Sequence, residues 1–223
     1  MTASPDPTQP EIVARSTLFP RWKRVFDSFC IFFSLPVTLP LMLFISIGIL
    51  LSSGGSIFFR QERIGLLGQP FSLIKFRTMR QGSDSATHRD HARDFIQSNQ
   101  PMSKLDSDDA RIFAFGRFLR RFGLDELPQI LNVLSGDMSL VGPRPCLRYE
   151  YEQYLPHHRK RLESPPGITG LWQVSGKNRM TFEEMVQTDI EYITQISLTR
   201  DVCILLKTIP SILMEARLEK RPK

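Results

Sequence analysis

The stretch RWKRVFDSFCIFFSLPVTLPLMLFISIGILLSSGGS, Arg21–Ser56, decides the fold because it is too apolar for an ordinary globular domain. No charged residue occurs from Ser28 to Phe59. As a helix, Ser28–Leu51 would be roughly 36 Å long, enough to cross the apolar core of a bilayer, which is about 30 Å thick. Helices in the core of soluble proteins are rarely apolar on every side over such a length. We therefore predict that residues 21–56 form a membrane-inserted helix.

The path of this helix depends on two prolines near its middle. Pro36 and Pro40 each remove a backbone donor and clash with a carbonyl one turn earlier, whereas Ser34 could bond a carbonyl that is freed in this way. A sharp bend would return both ends of the helix to one face of the membrane, and a straight helix would cross it. The residues themselves leave both paths open.

Basic residues flank the start of the apolar segment: Arg21, Lys23 and Arg24. Such residues mark the cytoplasmic side of a membrane helix. The apolar run is too long and begins too late for a cleaved signal peptide, and no A-x-A pattern follows it. The segment is therefore predicted to stay in the membrane with its first residues on the cytoplasmic side.

The charge and the cysteines narrow the class of protein. The chain of 223 residues has a net charge of +6, which favours an anionic partner such as a membrane surface or a phosphorylated substrate. Nucleic acid is not expected as a partner, because no recognition motif accompanies the charge. Three widely spaced cysteines give no zinc-site spacing and indicate a reducing compartment. His88 and His91 are predicted to be solvated surface residues.

Short elements follow the apolar segment. Phe58–Phe59 and Phe71–Ile74 are predicted to pair as a β-hairpin, with glycines and a proline in its turn. Residues 80–110 are polar and are predicted to form a loop with a short helix at His91–Gln97. The next segment, Arg111–Leu124, interleaves phenylalanines with arginines at helical spacing. It is either a basic amphipathic surface suited to lipid headgroups or a core helix with a solvated basic face.

Two helices are predicted near the end of the chain. Thr181 and Glu184 form a T-x-x-E capping box before an apolar stripe that also contains Asp189. A carboxylate on an inward face is unfavourable unless it is bonded, so Asp189 is either a buried hydrogen-bonding group or an active-site carboxylate. The last helix, about Thr199–Met214, has Asp201 in its first turn, where the helix dipole favours a carboxylate.

The stretch LDELPQILNVLSGDMSLVGPRP, Leu124–Pro145, contains two adjacent carboxylates, Asp125 and Glu126. If Asp125 is the N-cap of a helix over Glu126–Leu134, the positive helix end lowers the pKa of both groups and keeps them ionised. A cap followed by a solvated charge is the ordinary explanation of such a pair. The residues that follow point to another explanation.

Arg144 follows the carboxylates with a proline on each side, which fixes the local backbone and aims the guanidinium. An arginine fork fits the oxygens of a phosphate. Two carboxylates with phosphate and water are a usual set of Mg²⁺ ligands, and a metal and an arginine let a carboxylate approach a diphosphate. The pattern indicates carboxylate chemistry on phosphate esters, in which a nucleophilic carboxylate would form an acyl phosphate.

Five motifs in succession resemble the bacterial sugar transferases, the monotopic phosphoglycosyl transferases. They are KRVFD (Lys23–Asp27), KFRTM (Lys75–Met79), the stretch Leu124–Pro145, PGITGLWQVSGKN (Pro166–Asn178) and SLTRDVCILLKTI (Ser197–Ile209). The resemblance extends over about Arg21–Leu213.

The resemblance implies an enzyme that moves a sugar-1-phosphate from a UDP-sugar to a polyprenyl phosphate and releases UMP. It implies that Asp125 is the nucleophile, that Glu126 supports it and that Mg²⁺ binds at this pair. It also implies phosphate contacts for Arg144 and Lys75, with Lys177 and Arg179 as further phosphate-binding residues. The carboxylates Asp189 and Asp201 are placed at or near the site. The membrane helix of this family is re-entrant.

The chain departs from the family pattern in three places. Lys177 stands where an arginine is common, so a phosphate there would lose a bidentate partner unless Arg179 substitutes. Gly123 stands where a serine commonly precedes the Asp125–Glu126 pair, called the dyad below. Loss of that serine as an N-cap could loosen the loop. Leu35 separates Ser34 from Pro36, which changes the register of the expected bend.

We therefore expect an α+β, mainly helical fold with a re-entrant membrane helix, membrane-surface amphipathic helices and a small β element. The expected organisation is a disordered tail (1–20), the membrane segment (21–56), a catalytic domain (57–216) and a basic tail (217–223). The expected function is initiation of exopolysaccharide or glycoconjugate synthesis on undecaprenyl phosphate, at the cytoplasmic face of the bacterial inner membrane. The alternative is a non-catalytic membrane adaptor of a polysaccharide assembly complex. Homodimer formation stays open.

Overall fold

The structure, a computed structural model of the chain, describes residues 20–80, 93–98, 100, 101, 109 and 111–218. Most of the expected N-terminal tail, together with His88 and His91, lies outside these residues. Residues 93–98 are helical, in agreement with the short helix that was expected in this region.

Helices make up most of the described chain, and two small sheets lie among them. The α-helices are α1 (Arg21–Ser53), α2 (Ala114–Arg121), α3 (Ile130–Ser135), α4 (Arg148–Tyr151), α5 (Leu171–Ser175), α6 (Phe182–Thr194) and α7 (Leu198–Leu218). The strands are β1 (Phe58–Ile64), β2 (Pro70–Phe76), β3 (Ser139–Val141) and β4 (Gly167–Thr169). Short 3₁₀ helices occur at Leu66–Gly68, Leu124–Gln129, His158–Leu162 and Lys177–Arg179. The prediction of an α+β, mainly helical fold is confirmed.

The predicted hairpin is confirmed and is longer than expected. Strands β1 and β2 are antiparallel and pair from Phe58 opposite Phe76 to Ile64 opposite Pro70. Its turn contains Leu67 and Gly68, both with positive φ. Ile64 also donates its N–H to the carbonyl of Cys146 at 2.8 Å, which joins the hairpin to the loop after β3.

Strands β3 and β4 form a parallel pair in which Ser139 lies opposite Gly167. The backbones approach closely just after β3, because a Cβ on Gly142 would lie 2.5 Å from the carbonyl oxygen of Pro165. Glycine is therefore required there. The contact fixes where the chain leaves β3 and so where the loop that carries Arg144 begins.

Most of α1 is exposed although it is apolar. Phe33 is 79% exposed and Leu51 is 84% exposed. Among the described residues α1 is the helix long and apolar enough to cross a membrane, and only 11% of its most apolar window is buried. A core helix of a soluble protein would be mostly buried, so the exposure supports insertion into a bilayer.

Both halves of α1 nevertheless pack on the rest of the chain. In the first half, Ile31 packs with Leu73, Ile130, Val133 and Met138; in the second half, Ile45 and Ile49 pack with Phe76, Phe113 and Leu119. At the C-terminal end, a guanidinium nitrogen of Arg77 donates to Ser53 Oγ at 2.9 Å. The two ends of the helix are thus attached to the same folded domain.

Two of the three basic residues at the start of α1 bond to the folded domain rather than to solvent. Lys23 is fully buried and forms an ion pair with Asp201 of α7. Arg24 donates to the carbonyl of Val133 at 2.6 Å, near the C-terminal end of α3. Of the three, Arg21 alone is exposed. The expected cytoplasmic orientation of the helix rested on the charges of all three residues. The bonds of Lys23 and Arg24 to the folded domain already explain why these two residues are basic.

The helix α1 continues through both prolines. Ser34 Oγ donates to the carbonyl of Ile31 at 2.8 Å, not to that of Phe32, which lies one turn before Pro36. Thr38 Oγ1 donates to the Ser34 carbonyl at 3.1 Å. Such hydroxyl bonds to a preceding carbonyl often accompany helix bending.

The two predicted C-terminal helices are present. The capping box at the start of α6 is complete, because Glu184 N–H donates to Thr181 Oγ1 at 3.3 Å and Thr181 N–H donates to Glu184 Oε2 at 2.8 Å. Helix α7 continues to Leu218, two residues beyond the expected end of the catalytic domain. Its apolar side is largely exposed, with Leu206 at 71% and Ile209 at 66%.

Helix α2 turns two of its three arginines inward. Arg120 Nε donates to Thr78 Oγ1 at 2.9 Å, and Arg121 Nε donates to the carbonyl of Ala216 at 3.1 Å. Arg117 is exposed, and Leu119 is fully buried. Of the two interpretations of this segment, a core helix with part of its basic face bonded internally fits better than a surface dedicated to lipid headgroups.

Candidate active site

Asp125 and Glu126 lie in the 3₁₀ helix Leu124–Gln129, which is followed directly by α3. The prediction that Asp125 caps an α-helix is wrong, because Gly123 occupies the N-cap position with φ 65° and no side chain caps this end. Glu126 N–H donates to the Gly123 carbonyl at 3.2 Å, a spacing of three residues. The tighter turn follows from the left-handed glycine and places both carboxylates in the first turn.

Lys75 is the cation bonded to this carboxylate pair. It lies on β2 opposite Phe59, and its Nζ is 2.9 Å from Glu126 Oε1. The expected phosphate contact of Lys75 stays a prediction, and the structure places its ammonium group on Glu126. The hairpin carries Lys75 to the 3₁₀ helix, because β2 packs against that turn.

The two carboxylates of the dyad have opposite pKa shifts. Burial raises the pKa of Asp125 and Glu126 raises it further, against the lowering effects of Lys75 and Arg120. Burial also acts to raise the pKa of Glu126, but Lys75, Arg144 and Lys177 together bring that pKa below its usual value. The prediction that both pKa values fall is therefore wrong for Asp125, because its desolvation outweighs the nearby positive charges.

Arg120 is a site residue that the sequence analysis did not assign. It lies at the C-terminal end of α2, five residues before Asp125, and its positive charge lowers the pKa of that carboxylate. Its side chain is oriented by Thr78 Oγ1 at 2.9 Å. In the sequence, Arg120 is one of several arginines in an amphipathic pattern, so only the fold distinguishes it from its neighbours.

Arg144 is half-buried in the loop between β3 and α4. Its charge contributes to the low pKa of Glu126, so the structure brings it to the dyad as the sequence suggested. It also lines a small cavity, together with Tyr154, Arg161 and Phe182. Among the described residues no carboxylate forms an ion pair with Arg144, so its guanidinium is available to an anionic group near the dyad.

Lys177 lies close enough to the dyad to lower the pKa of Glu126, but its Nζ pairs with Glu215 Oε2 of α7 at 2.6 Å. Its backbone has φ 43°, in the left-handed region. Arg179, the expected substitute, is exposed at the end of the same 3₁₀ helix. A phosphate would have to share Lys177 with Glu215.

Asp189 and Asp201 are fully buried and bonded within the fold. Asp189 pairs with the guanidinium of Arg161 at 2.5 Å. Asp201 pairs with Lys23 and accepts a hydrogen bond from the Tyr192 hydroxyl at 2.7 Å. Of the two interpretations of Asp189, the buried hydrogen-bonding group agrees with this geometry. Their expected positions at or near the site stay a prediction.

His157, His158 and Glu183 bring three groups together that could bind a metal ion. The hydrogen bonds of His158 argue against this, because its Nδ1 accepts from Leu155 N–H at 3.1 Å. The ring proton of the neutral imidazole then lies on Nε2, which is 3.1 Å from Glu183 Oε2. A nitrogen that carries this proton cannot be a metal ligand. The Asp125–Glu126 pair remains the better cation site in the described part of the chain.

Comparisons with known proteins identify the family of this chain. The sequence model of the family described as "Bacterial sugar transferase" matches residues 19–215. The chain is 40% identical over 197 residues to the exopolysaccharide production protein ExoY of Sinorhizobium fredii, covering 85% of this chain and 84% of that protein.

Two further relatives are named for their reactions. The chain is 37% identical to the undecaprenyl-phosphate galactose phosphotransferase of Salmonella typhimurium, over 92% of this chain but 43% of that protein. It is 39% identical to the UDP-glucose:undecaprenyl-phosphate glucose-1-phosphate transferase of Caulobacter vibrioides, over 86% of this chain and 69% of that protein. The family match spans the membrane helix, the dyad and the arginine loop, and so the chain belongs to the bacterial sugar transferase family.

Proposed function

We propose that this chain moves a sugar-1-phosphate from a UDP-sugar to undecaprenyl phosphate and releases UMP, as the first step of exopolysaccharide or glycoconjugate assembly. The names of the Salmonella and Caulobacter relatives support the reaction class. The observation that carries the proposal is the buried Asp125 beside Glu126, with Lys75 bonded to Glu126 and the charges of Arg120 and Arg144 nearby.

In the first half-reaction, a carboxylate oxygen of Asp125 attacks the phosphorus atom that bears the sugar. The bond from this phosphorus to the bridging oxygen breaks, and its electron pair leaves with UMP. The enzyme then holds an acyl phosphate that carries the sugar. In the second half-reaction, a phosphate oxygen of undecaprenyl phosphate attacks the same phosphorus, Asp125 leaves as a carboxylate, and a polyprenyl-diphosphate sugar is formed.

The positive groups around the dyad suit this chemistry. Burial raises the pKa of Asp125, so positive charge placed at the dyad stabilises its ionised form. Lys75 and Arg120 supply part of that charge, while Arg144 offers a fork for the donor phosphates. Glu126, with its lowered pKa, stays ionised and keeps Lys75 in place.

The residues present fit a magnesium ion. Two adjacent carboxylates offer the oxygen ligands that Mg²⁺ prefers, and a cation would oppose the burial and the Glu126 charge that raise the pKa of Asp125. Asp125 and Glu126 would hold the ion, which would supply charge neutralisation for the phosphate groups.

We also propose that α1 enters the inner membrane from the cytoplasmic face and returns to it. Both ends of α1 contact one folded domain. A helix that crossed the bilayer would have its ends on opposite sides, so a domain on one side could not contact both. The exposed apolar side of α7 would rest on the same surface. In sealed vesicles, cysteines placed near positions 5 and 55 should react from the same side; reaction from opposite sides would show a spanning helix.

The reaction is tested by measuring UMP release from a panel of UDP-sugars, with undecaprenyl phosphate and Mg²⁺ present. The panel should include UDP-glucose, UDP-galactose and their N-acetylated forms, because the sequence does not name the sugar. UMP release from at least one donor is expected. If no donor yields UMP while the protein still binds anionic lipid, the non-catalytic adaptor is the better explanation.

A further inference from the structure

The loop that carries Arg144 is held through four successive carbonyl groups. That of Pro143 accepts from Gly167 N–H of β4 at 2.8 Å, and three donors outside β4 bind the other three. The Arg144 carbonyl accepts from Arg161 at 3.4 Å, and the Pro145 carbonyl accepts from Arg63 at 3.2 Å. The Cys146 carbonyl accepts from Ile64 N–H at 2.8 Å. Pro143 and Pro145 have no N–H to offer, so the carbonyl groups carry much of the bonding that can fix this backbone.

Two of the three donors are buried guanidinium groups, and they differ in charge compensation. Arg161 is 2% exposed and pairs with Asp189, so its charge is neutralised inside the fold. Arg63 is 7% exposed, and its hydrogen bonds in the described part of the chain go to neutral acceptors, Gln61 Oε1 at 2.8 Å and the Pro145 carbonyl.

The charge of Arg63 lies beside that of Arg144. Burial lowers the pKa of Arg63, and the neighbouring Arg144 lowers it further. Glu150 acts in the opposite direction and offsets part of this cost. A buried cation whose hydrogen-bond partners are neutral, next to a second cation, is still stabilised when a further anion binds. The part of the UDP-sugar that meets this need is its diphosphate, which carries two negatively charged phosphates.

We propose that Arg63 is a positioning residue for Arg144. It holds the loop through the Pro145 carbonyl at 3.2 Å, and its charge adds to that of Arg144 in attracting the donor diphosphate. Arg63 itself is too buried to meet the reacting phosphorus. This inference rests on the proposed function, since it assigns a diphosphate as the anion that completes the site.

The test uses the full chain in lipid nanodiscs, with three variants: Arg63→Gln, Arg63→Lys and the matched control Glu62→Gln. Glu62 is the neighbour on the same strand, is 58% exposed and accepts from Arg148 at 3.1 Å, so its pair also joins the hairpin to the segment after the loop. UDP, which has the diphosphate but no sugar to transfer, is the probe.

The Kd for UDP should rise about tenfold or more in Arg63→Gln, because both a charge and a hydrogen bond that orient Arg144 are lost. The Arg63→Lys variant should recover part of this affinity through its charge, and Glu62→Gln should bind UDP as the wild type does. A residue with a purely structural role would lower the melting temperature and leave the Kd unchanged at temperatures below the transition.

Cys146 offers a readout that needs no substrate. Cys146 is 2% exposed, whereas Cys203 is exposed. Alkylation followed by peptide mass spectrometry therefore compares the labelling rates of the two thiols in one sample. Arg63→Gln should speed labelling of Cys146 relative to Cys203, because the loop opens more often. Glu62→Gln should leave the ratio unchanged.

Wild-type UDP affinity and wild-type Cys146 protection in Arg63→Gln would overturn the inference. If Arg63→Gln does not fold, Arg63→Lys decides: wild-type values of both measurements there would equally overturn it, because a lysine cannot reproduce the fork. A wild-type chain that neither binds UDP nor releases UMP contradicts the proposed function instead, and the labelling ratio still decides whether Arg63 holds the loop.

Discussion

Four aspartates and glutamates were candidates for the site, and the structure divides them into two groups. Asp189 and Asp201 are fully buried, and each has a buried cation of its own, Arg161 and Lys23 respectively. In the other group, Asp125 and Glu126 are adjacent and have Lys75 as their bonded cation. Burial raises the pKa of Asp125 and of Asp189 alike, so the two groups differ in their bonded cations: among the described residues, one lysine serves the two carboxylates of the dyad.

The difference separates carboxylates that maintain the fold from those that can do chemistry. A buried carboxylate with its own hydrogen-bonded cation has no remaining demand for a ligand, and removing either partner leaves an isolated charge in the interior. A carboxylate pair with few positive neighbours is stabilised when a metal ion binds, or when a substrate binds together with the arginines that contact it. The two groups should therefore respond in opposite ways to the same substitution.

The largest effect is expected for Asp125→Asn. The variant should lose UMP release by at least about a thousandfold, because the amide cannot attack phosphorus. Its melting temperature should stay close to that of the wild type, since the substitution removes a buried charge with a raised pKa. Initial-rate UMP assays and thermal unfolding of the same preparation measure both quantities. Near-normal turnover in Asp125→Asn would exclude the covalent mechanism.

The reverse pattern is expected for Asp189→Asn. The variant leaves the guanidinium of Arg161 buried without a counter-ion and should lose about 3–5 kcal/mol of unfolding free energy. The double variant with Arg161→Met should regain part of that loss, because no isolated charge remains. Denaturant unfolding of all three proteins gives the comparison. A fully stable but inactive Asp189→Asn would instead assign Asp189 to the chemistry.

A smaller effect is expected in the pH dependence of the first half-reaction. Asp125 must be ionised to attack, and its pKa is raised, so the rate of UMP release should fall on the acid side at a pH above the usual titration range of an aspartate. Lys75 lowers this pKa, and Lys75→Met should therefore move the acid limb to higher pH. Single-turnover UMP release across the pH range measures the limb.

A matched control for this prediction is Lys207→Met, on the exposed side of α7. That substitution removes the same charge away from the dyad and should leave the acid limb in place. An acid limb that does not move in Lys75→Met would mean that Asp125 is not the group whose ionisation limits the rate.

Local patterns in the sequence predicted the local elements of this fold. The capping box at Thr181 and Glu184 gave the start of α6, and the alternating apolar and turn residues gave the hairpin. The pairs Lys23–Asp201 and Arg161–Asp189 could not be found in this way, because their partners are distant in sequence and lie on different elements. The resemblance brought Asp189 and Asp201 to attention, but only the packing shows that each is already neutralised.

At the dyad, too, the sequence did not predict the local geometry, although the residues involved are close together in the chain. A carboxylate before an apolar run is the usual sign of an N-cap, and the sequence alone favoured that geometry for Asp125. The left-handed conformation of Gly123 starts the turn earlier, so Asp125 lies inside it instead. Arg120 was overlooked for a related reason, since its neighbours on the helix also are basic.

The smallest effect is expected at Gly123, where the family commonly has serine. With φ 65°, any side chain there adopts a left-handed conformation, which is unfavourable by about 1–2 kcal/mol. There is room for one, because the nearest atom to an added Cβ is Ile212 Cδ1 at 3.8 Å. Gly123→Ala should therefore lose about 1 kcal/mol of unfolding free energy from backbone strain alone, with UMP release within about threefold of the wild type.

Comparison of Gly123→Ser with Gly123→Ala separates the cost of backbone strain from the stabilisation by an N-cap. A serine hydroxyl that accepts from an N–H of the first turn would recover about 0.5–2 kcal/mol, so Gly123→Ser should be more stable than Gly123→Ala. Equal losses in the two variants would mean that the hydroxyl does not cap this turn, and that glycine is simply the residue suited to the left-handed backbone. Wild-type stability in both variants would contradict the left-handed conformation of Gly123, and with it the tight turn that sets Asp125 beside Glu126.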